Sequence, residues 1–277
     1  MAHGHPQAPT PTKIPGVANI IAIGSGKGGV GKTTTAVNLC VALSKLGYKV
    51  GLLDADIYGP NVPLMVGANI PPKVVGENRI EPILAHGLKV ISVGFINPGD
   101  KPLVWRGPML HSVIRQFLQQ VDWGTLDFLI VDLPPGTGDV VISLVQTVPL
   151  DGAIVVSTPS DVSLQDARKA IEMFKQVHVD VLGIVENMSN FYCPHCQHEI
   201  DIFSKGGVEK TARQFDLPFL GAVDLDPSIR RGGDNGLPVT LGGETSPSAK
   251  SFYDLAKALT RIIAERVKDD EDLIKIV

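Results

Sequence analysis

A doubly wound α/β fold on a mostly parallel sheet is what this 277-residue sequence predicts. Three observations carry that expectation. Short apolar runs alternate with longer helix-patterned segments along most of the chain. The runs are nearly unbroken in Val, Ile and Leu, as strands covered on both faces require. A glycine-rich turn stands between the first run and the first helical segment, where doubly wound folds place their loops.

The elements follow in order. Residues 1–16, MAHGHPQAPTPTKIPG, are polar and proline-rich and read as a solvated, disordered tail. They match neither a secretory signal nor an Arg-rich transit peptide, and His3 and His5 belong to that tail. NIIAIG (19–24) reads as a buried strand, followed by the glycine turn and a helix over 31–46. KVGLLDAD (49–56) is a second strand ending on acidic residues. LKVISVGF, DFLIVDLP, GAIVVST, DVLGIVENM and FLGAVDL read as further strands. Helices are expected over 108–121, 140–148, 163–178, 208–215 and 247–267, the last capped by Ser246 with Pro247 at its first position. Residues 17–268 therefore read as one domain, and 269–277 as a frayed tail.

Composition narrows the function. Hydrophobic residues make up 44% and charged residues 19%, enough for a large core, and the net charge of −4 gives no basic face for nucleic acid. Three cysteines do not form a disulfide framework, so a reducing, cytoplasmic setting is expected. The most apolar stretch, 140–156, is broken by Gln146, Pro149 and Asp151 and is too short to span a bilayer. The last helix carries Phe252, Leu255, Ala256, Leu259, Ile262, Ile263 and Val267 on one face. Its polar side mixes both signs of charge, which favours core packing over a membrane surface. Neither a membrane nor a nucleic acid is an expected partner.

GSGKGGVGKTT (24–34) is the strongest local signal. Gly26, Gly31, Lys32 and Thr33 fit G-x-x-x-x-G-K-[ST] between a strand and a helix, the context that motif needs. Gly26, Gly28, Gly29, Val30, Gly31 and Thr34 would turn backbone N–H groups around phosphates at a helix N-terminus. Lys32 would neutralise the β- and γ-phosphates, and the Thr33 hydroxyl would bind Mg²⁺.

The additional Lys27 makes this loop resemble the deviant Walker A loop of the MinD/ParA and nitrogenase iron-protein ATPases. That resemblance implies a MinD/ParA-like P-loop NTPase fold, with Lys27 acting across a dimer interface on the partner's ATP. LIVDLPPGTGD looks like a Walker B strand, placing Asp132 near Mg²⁺ and Gly136 as a sensor of the γ-phosphate. On the same pattern, Asp56 orients the attacking water and Asp54 lies nearer the Mg²⁺ shell. Asn187 resembles the adenine-binding asparagine of the family. Lys27, Lys32 and Asp56 are thus the expected catalytic residues.

Together, GSGKGGVGKTT, DADIYGPN, WRGPML, DLPPGTGD, ENMS and CPHC followed by HEIDIF resemble, in order, the Mrp/ApbC family of iron–sulfur cluster carrier ATPases. The match extends from Lys13 to about Lys268. It implies a homodimer with a 4Fe–4S cluster, a cluster-assembly scaffold as donor and apo-proteins as recipients. The cluster loop falls at 190–200, with Cys193 and Cys196 as ligands. Two such pairs about a twofold axis supply four equivalent thiolates. Spacing alone leaves open a four-cysteine zinc site, a redox pair, and an intrachain set with His195 and His198. Cys40, inside an apolar helix, reads as packing. A MinD/ParA-like positioning ATPase and a nitrogenase-like electron donor are the alternative functions.

Overall fold

The computed structural model describes residues 11–276, apart from 77–78, 97–106, 137, 194 and 197. His3, His5, Trp105 and Arg106 lie outside these residues. Strand β1 (Val17–Gly24) opens the fold and leads through the glycine turn into α1 (Lys32–Lys45) and β2 (Val50–Asp54). The short elements α2 (Val62–Met65), β3 (Lys73–Val75), β4 (Arg79–Glu81) and β5 (Ile83–Ala85) precede β6 (Leu88–Ser92). Then come α3 (Gly107–Gln119), β7 (Leu126–Asp132), α4 (Asp139–Thr147), β8 (Gly152–Ser157), α5 (Asp161–Gln176) and β9 (Val181–Asn187). A small hairpin, β10 (Phe191–Tyr192) and β11 (Glu199–Ile200), leads to α6 (Gly207–Gln214) and β12 (Phe219–Val223). The chain closes with α7 (Pro227–Asp234) and α8 (Pro247–Ile276).

The main sheet has eight strands in the order β12-β9-β8-β1-β7-β2-β6-β5, parallel except where β5 runs against β6. Alternate residues of each strand enter opposite cores, as the two-residue side-chain period demands. Ile20 and Ala22 of β1 join Leu129, Val131 and Val155 under α3, α4 and α5. Ile21 and Ile23 join Leu52, Ile130 and Ile154 under α1 and α8. Both faces are covered, which is why these strands read as unbroken apolar runs.

Every strand and helix expected from the long runs is present, with ends shifted by a few residues. The stripe on α8 is core: Phe252, Leu255, Ala256 and Leu259 are fully buried, whereas Val267 lies on the exposed side. The helix also runs on past Val267 to Ile276. Elements of two to four residues were too short to show a period. The eight-residue α7 was hidden by Gly232 and Gly233, which weaken a helical pattern. Among the described residues no helix is long and apolar enough to cross a membrane.

The topology sets up one edge. β1, β7 and β2 are adjacent and parallel, so the glycine turn and the acidic ends of β7 and β2 converge at the carboxyl ends of three neighbouring strands.

Candidate nucleotide site and cysteine hairpin

Sterics at two glycines hold the loop between β1 and α1. Gly31 caps α1 in the left-handed region (φ 82°), and a Cβ there would stand 2.0 Å from Asn187 Nδ2. At Gly26 a Cβ would meet the backbone of Asp166 on α5 at 2.1 Å. Only glycine lets α5 and the end of β9 approach this closely. Asn187 Nδ2 in turn donates to the Val30 carbonyl at 2.8 Å, clamping the loop from the side.

Lys32, almost fully buried at the start of α1, lies 2.8 Å from Asp132 Oδ1 and 3.9 Å from Asp56 Oδ2. The Thr33 hydroxyl donates to Asp132 Oδ2 at 2.7 Å. Asp54 and Asp132 face each other in register on β2 and β7. Burial, with the Asp132 charge beside it, pushes Asp54 up to about 8. Its oxygens are turned into the protein. Asp54 Oδ2 accepts from Ser92 Oγ (2.9 Å) and the Val62 N–H (3.4 Å), and Oδ1 accepts from the Asp56 N–H (3.1 Å). Asp54 therefore ties β2, β6 and the turn into α2 together. Asp56 is partly open, and burial raises it above the ordinary carboxylate range despite the opposing pull of Lys32. Thr33 and Asp132 form a pair of hard-oxygen donors, the chemistry that suits Mg²⁺.

A cavity of about 420 Å³ runs along the loop, within the range of small-ligand pockets. Lys27, Gly28, Gly29, Gly31, Lys32, Thr33, Thr34, Asp56 and Asn187 all line it, so most of the residues singled out from sequence meet here. Gly26 and Val30 belong to the loop but do not line the cavity, and Asp132 is buried and bonded to Lys32 and Thr33. The far wall consists of Met188 and residues 224–226, with Ile229 and Arg230 of α7. Sequence reasoning missed that wall, although Asp226-Pro227 is a helix-start signal: Asp226 caps α7 by accepting from the Ser228 N–H at 2.7 Å. Ser92, the clamp on Asp54, left no local signal.

A second cavity, on the other side of Gly28 and Gly29, is lined by Asp56, Tyr58, Pro135 and Gly138. Gly136, in the left-handed region at φ 89°, donates its N–H to the Ser25 carbonyl at 2.9 Å. Lys27 is half-buried at the rim and enters no ion pair among the described residues.

The cysteines stand apart from this cluster. Cys193 and Cys196 lie at the tip of the β10–β11 hairpin, which closes with the Cys193 N–H donating to the His198 carbonyl at 3.0 Å. Cys193 is half-exposed and Cys196 exposed. Backbone N–H groups of Cys196 and His195 point at the Cys193 sulfur and hold its thiol below the ordinary value, which favours the ligating thiolate. Among the described residues no three His, Cys, Asp or Glu side chains gather where they could hold a metal ion. His195 and His198 therefore do not complete a set with the two thiols. Cys40 is buried in α1 among apolar side chains, and burial pushes its thiol up.

A phosphate-binding loop with a second lysine, on this strand order, and a separate two-cysteine hairpin agree with the comparisons. The ParA family model, described as NUBPL iron-transfer P-loop NTPase, matches residues 16–260. The chain belongs to this family. An iron–sulfur cluster carrier protein of Aquifex aeolicus is 50% identical over 260 residues, 93% of this chain and 71% of its own length. The iron–sulfur cluster transfer protein NUBPL of Dictyostelium discoideum is 44% identical over 98% of this chain and 84% of its own. Among solved structures, an ADP-bound nucleotide-binding protein of Archaeoglobus fulgidus superposes with a TM-score of 0.71 at 37% identity, covering 81% of this chain and 88% of that one. These relatives support nucleotide hydrolysis as the general chemistry of this P-loop fold.

Proposed function

We propose that the protein is a homodimeric ATPase that carries an iron–sulfur cluster. It would receive a 4Fe–4S cluster from an assembly scaffold, hold it between the Cys193 and Cys196 pairs of two copies, and pass it to apo-proteins. A cytoplasmic location fits the free, reduced cysteines. One observation carries this reading: among the described residues the hairpin presents two thiols with no third ligand beside them, so a four-thiolate site needs a second chain. The names of the relatives point to the same cargo.

The nucleotide chemistry follows from the loop. ATP lies in the 420 Å³ cavity with its base toward Asn187 and Met188 and its phosphates on the loop N–H groups. Lys32 exchanges its contacts with Asp132 and Asp56 for the β- and γ-phosphates. Thr33 and Asp132 would hold Mg²⁺, which when bound neutralises phosphate charge. Asp56, freed from Lys32 and open to the second cavity, orients water for in-line attack at the γ-phosphorus. Lys27 reaches from the rim to the partner's phosphates, and Gly136 turns its N–H toward the γ-phosphate.

Anaerobic reconstitution with iron and sulfide tests the cargo. The expected product has broad visible absorption and stoichiometric iron and sulfide; a colourless protein that takes up only zinc contradicts the proposal.

A further inference from the structure

The cysteine hairpin and the nucleotide cavity share a wall. Asp224, Leu225, Asp226 and Ile229 line the nucleotide cavity on one side. The same four residues line a separate cavity of about 320 Å³ whose opposite side includes Tyr192, the residue before Cys193. This wall is bonded to the stem of the hairpin. Asn190 Nδ2 donates to Asp224 Oδ1 at 3.2 Å, and the Leu225 N–H donates to the Asn190 carbonyl at 2.7 Å. One residue earlier, the Ser189 N–H donates to the Val223 carbonyl at 3.0 Å. Asn190 thus stands between Asn187, which clamps the phosphate loop, and Tyr192–Cys193, which begins the hairpin. Asp226 is fixed independently by Ser248 and the Ser228 N–H, so the wall has a rigid end at α7 and a bonded end at Asn190.

We infer that Asn190 is a positioning residue that transmits nucleotide occupancy, through Asp224 and Leu225, to the geometry of the Cys193/Cys196 pair. This rests on the nucleotide and cluster reading above. A base and ribose against Asp224, Leu225, Asp226 and Ile229 fix one face of the wall, and the Asn190–Asp224 bond carries that constraint to the hairpin stem. The bond is partly buried, so its loss weakens the link without opening the core. A positional shift of the stem moves both thiols together, because each is within six residues of Asn190 along one short hairpin.

Cluster-free protein supplies the test, because its thiols report the hairpin directly. Iodoacetamide alkylation of Cys193 and Cys196 is followed by mass spectrometry with and without Mg-ADP, alongside ADP affinity by calorimetry. In the wild type, ADP is expected to change the alkylation rate roughly threefold to tenfold, the range one hydrogen bond of ordinary net strength covers. Asn190→Ala, which loses the side-chain bond to Asp224 but keeps the backbone bonds of Leu225 and Ser189, is expected to bind ADP with unchanged affinity but to cut that ratio to less than half of its wild-type value. The reciprocal pair Asn190→Asp with Asp224→Asn rebuilds the bond with donor and acceptor exchanged, and is expected to restore the ratio. A purely structural role for Asn190 predicts a general rise in alkylation with the ADP ratio retained. That retained ratio overturns the inference, as does a wild type that binds ADP without any change in alkylation. A wild type that fails to bind ADP overturns the nucleotide reading itself, and this inference with it.

Discussion

The phosphate loop and the cysteine hairpin are built in opposite ways. The loop is buried and clamped: Gly31 against Asn187, Gly26 against α5, Lys32 between Asp132 and Asp56. Its carboxylates come from the ends of adjacent strands and are fixed before any ligand arrives, the preorganisation that phosphoryl transfer relies on. The hairpin rests on a two-residue ladder and leaves Cys196 exposed. Among the described residues its two thiols have no third His, Cys, Asp or Glu beside them. One site is preorganised by contacts within the chain, whereas the other presents two open thiols whose remaining ligands the proposed second copy would supply. A cargo site has reason to be open, because a labile cluster must be reached by the acceptor that removes it.

The sharpest way to break this contrast is at the cysteines. Cys193→Ala or Cys196→Ala removes two of four ligands from a symmetric dimer, so iron content after reconstitution is expected to fall close to zero. ATP affinity is expected to stay at the wild-type value, since neither residue lines the nucleotide cavity. Iron above about half of wild type would reveal a different ligand set.

Lys32→Ala strikes the buried side. It removes the charge on the phosphates and leaves Asp132 and Asp56 together without their shared cation. Nucleotide affinity is expected to fall at least about a hundredfold, and stability by about 3 kcal/mol, the scale of breaking a buried ion pair from one side. Isothermal titration and denaturant melts measure the two, while reconstitution of the cluster is expected to survive.

A smaller effect asks whether the nucleotide site also borrows from a second chain. Lys27→Ala and Asp56→Ala homodimers are each expected to be nearly inactive as ATPases. In a mixed dimer acting in trans, one site keeps both its own Asp56 and the partner's Lys27. Equal amounts give about half mixed dimers with one whole site of two, hence recovery to about a quarter of wild-type turnover. A flat, inactive mixture after demonstrated subunit exchange would place Lys27 on its own nucleotide.

The loop was legible in sequence because its parts are contiguous: glycines, Lys32 and Thr33 fall within one turn between one strand and one helix. The acidic ends of β2 and β7 were legible too, since unbroken apolar runs ending in Asp announce a strand terminus. What escaped depended on strand order. Ser92 reaches Asp54 because β6 lies beside β2, and residues 224–226 with Ile229 wall the nucleotide cavity because β12 lies beside β9. Neither adjacency leaves a local pattern. Asp54 illustrates this best: the family resemblance implied a place near the Mg²⁺ shell, and its hydrogen bonds add a role that no local pattern announced, a buried strut holding the turn that carries Asp56. C-x-x-C and the family resemblance already suggested two pairs about a twofold axis. What the structure adds is that, among the described residues, no third His, Cys, Asp or Glu stands beside the two thiols.

Native mass spectrometry of the anaerobically reconstituted protein tests the central claim most directly. The account predicts a dominant species of two chains carrying one four-iron, four-sulfide cluster, which separates into monomers when the cluster is chelated. A cluster or zinc ion retained by a single chain, or two chains each holding their own, would contradict it.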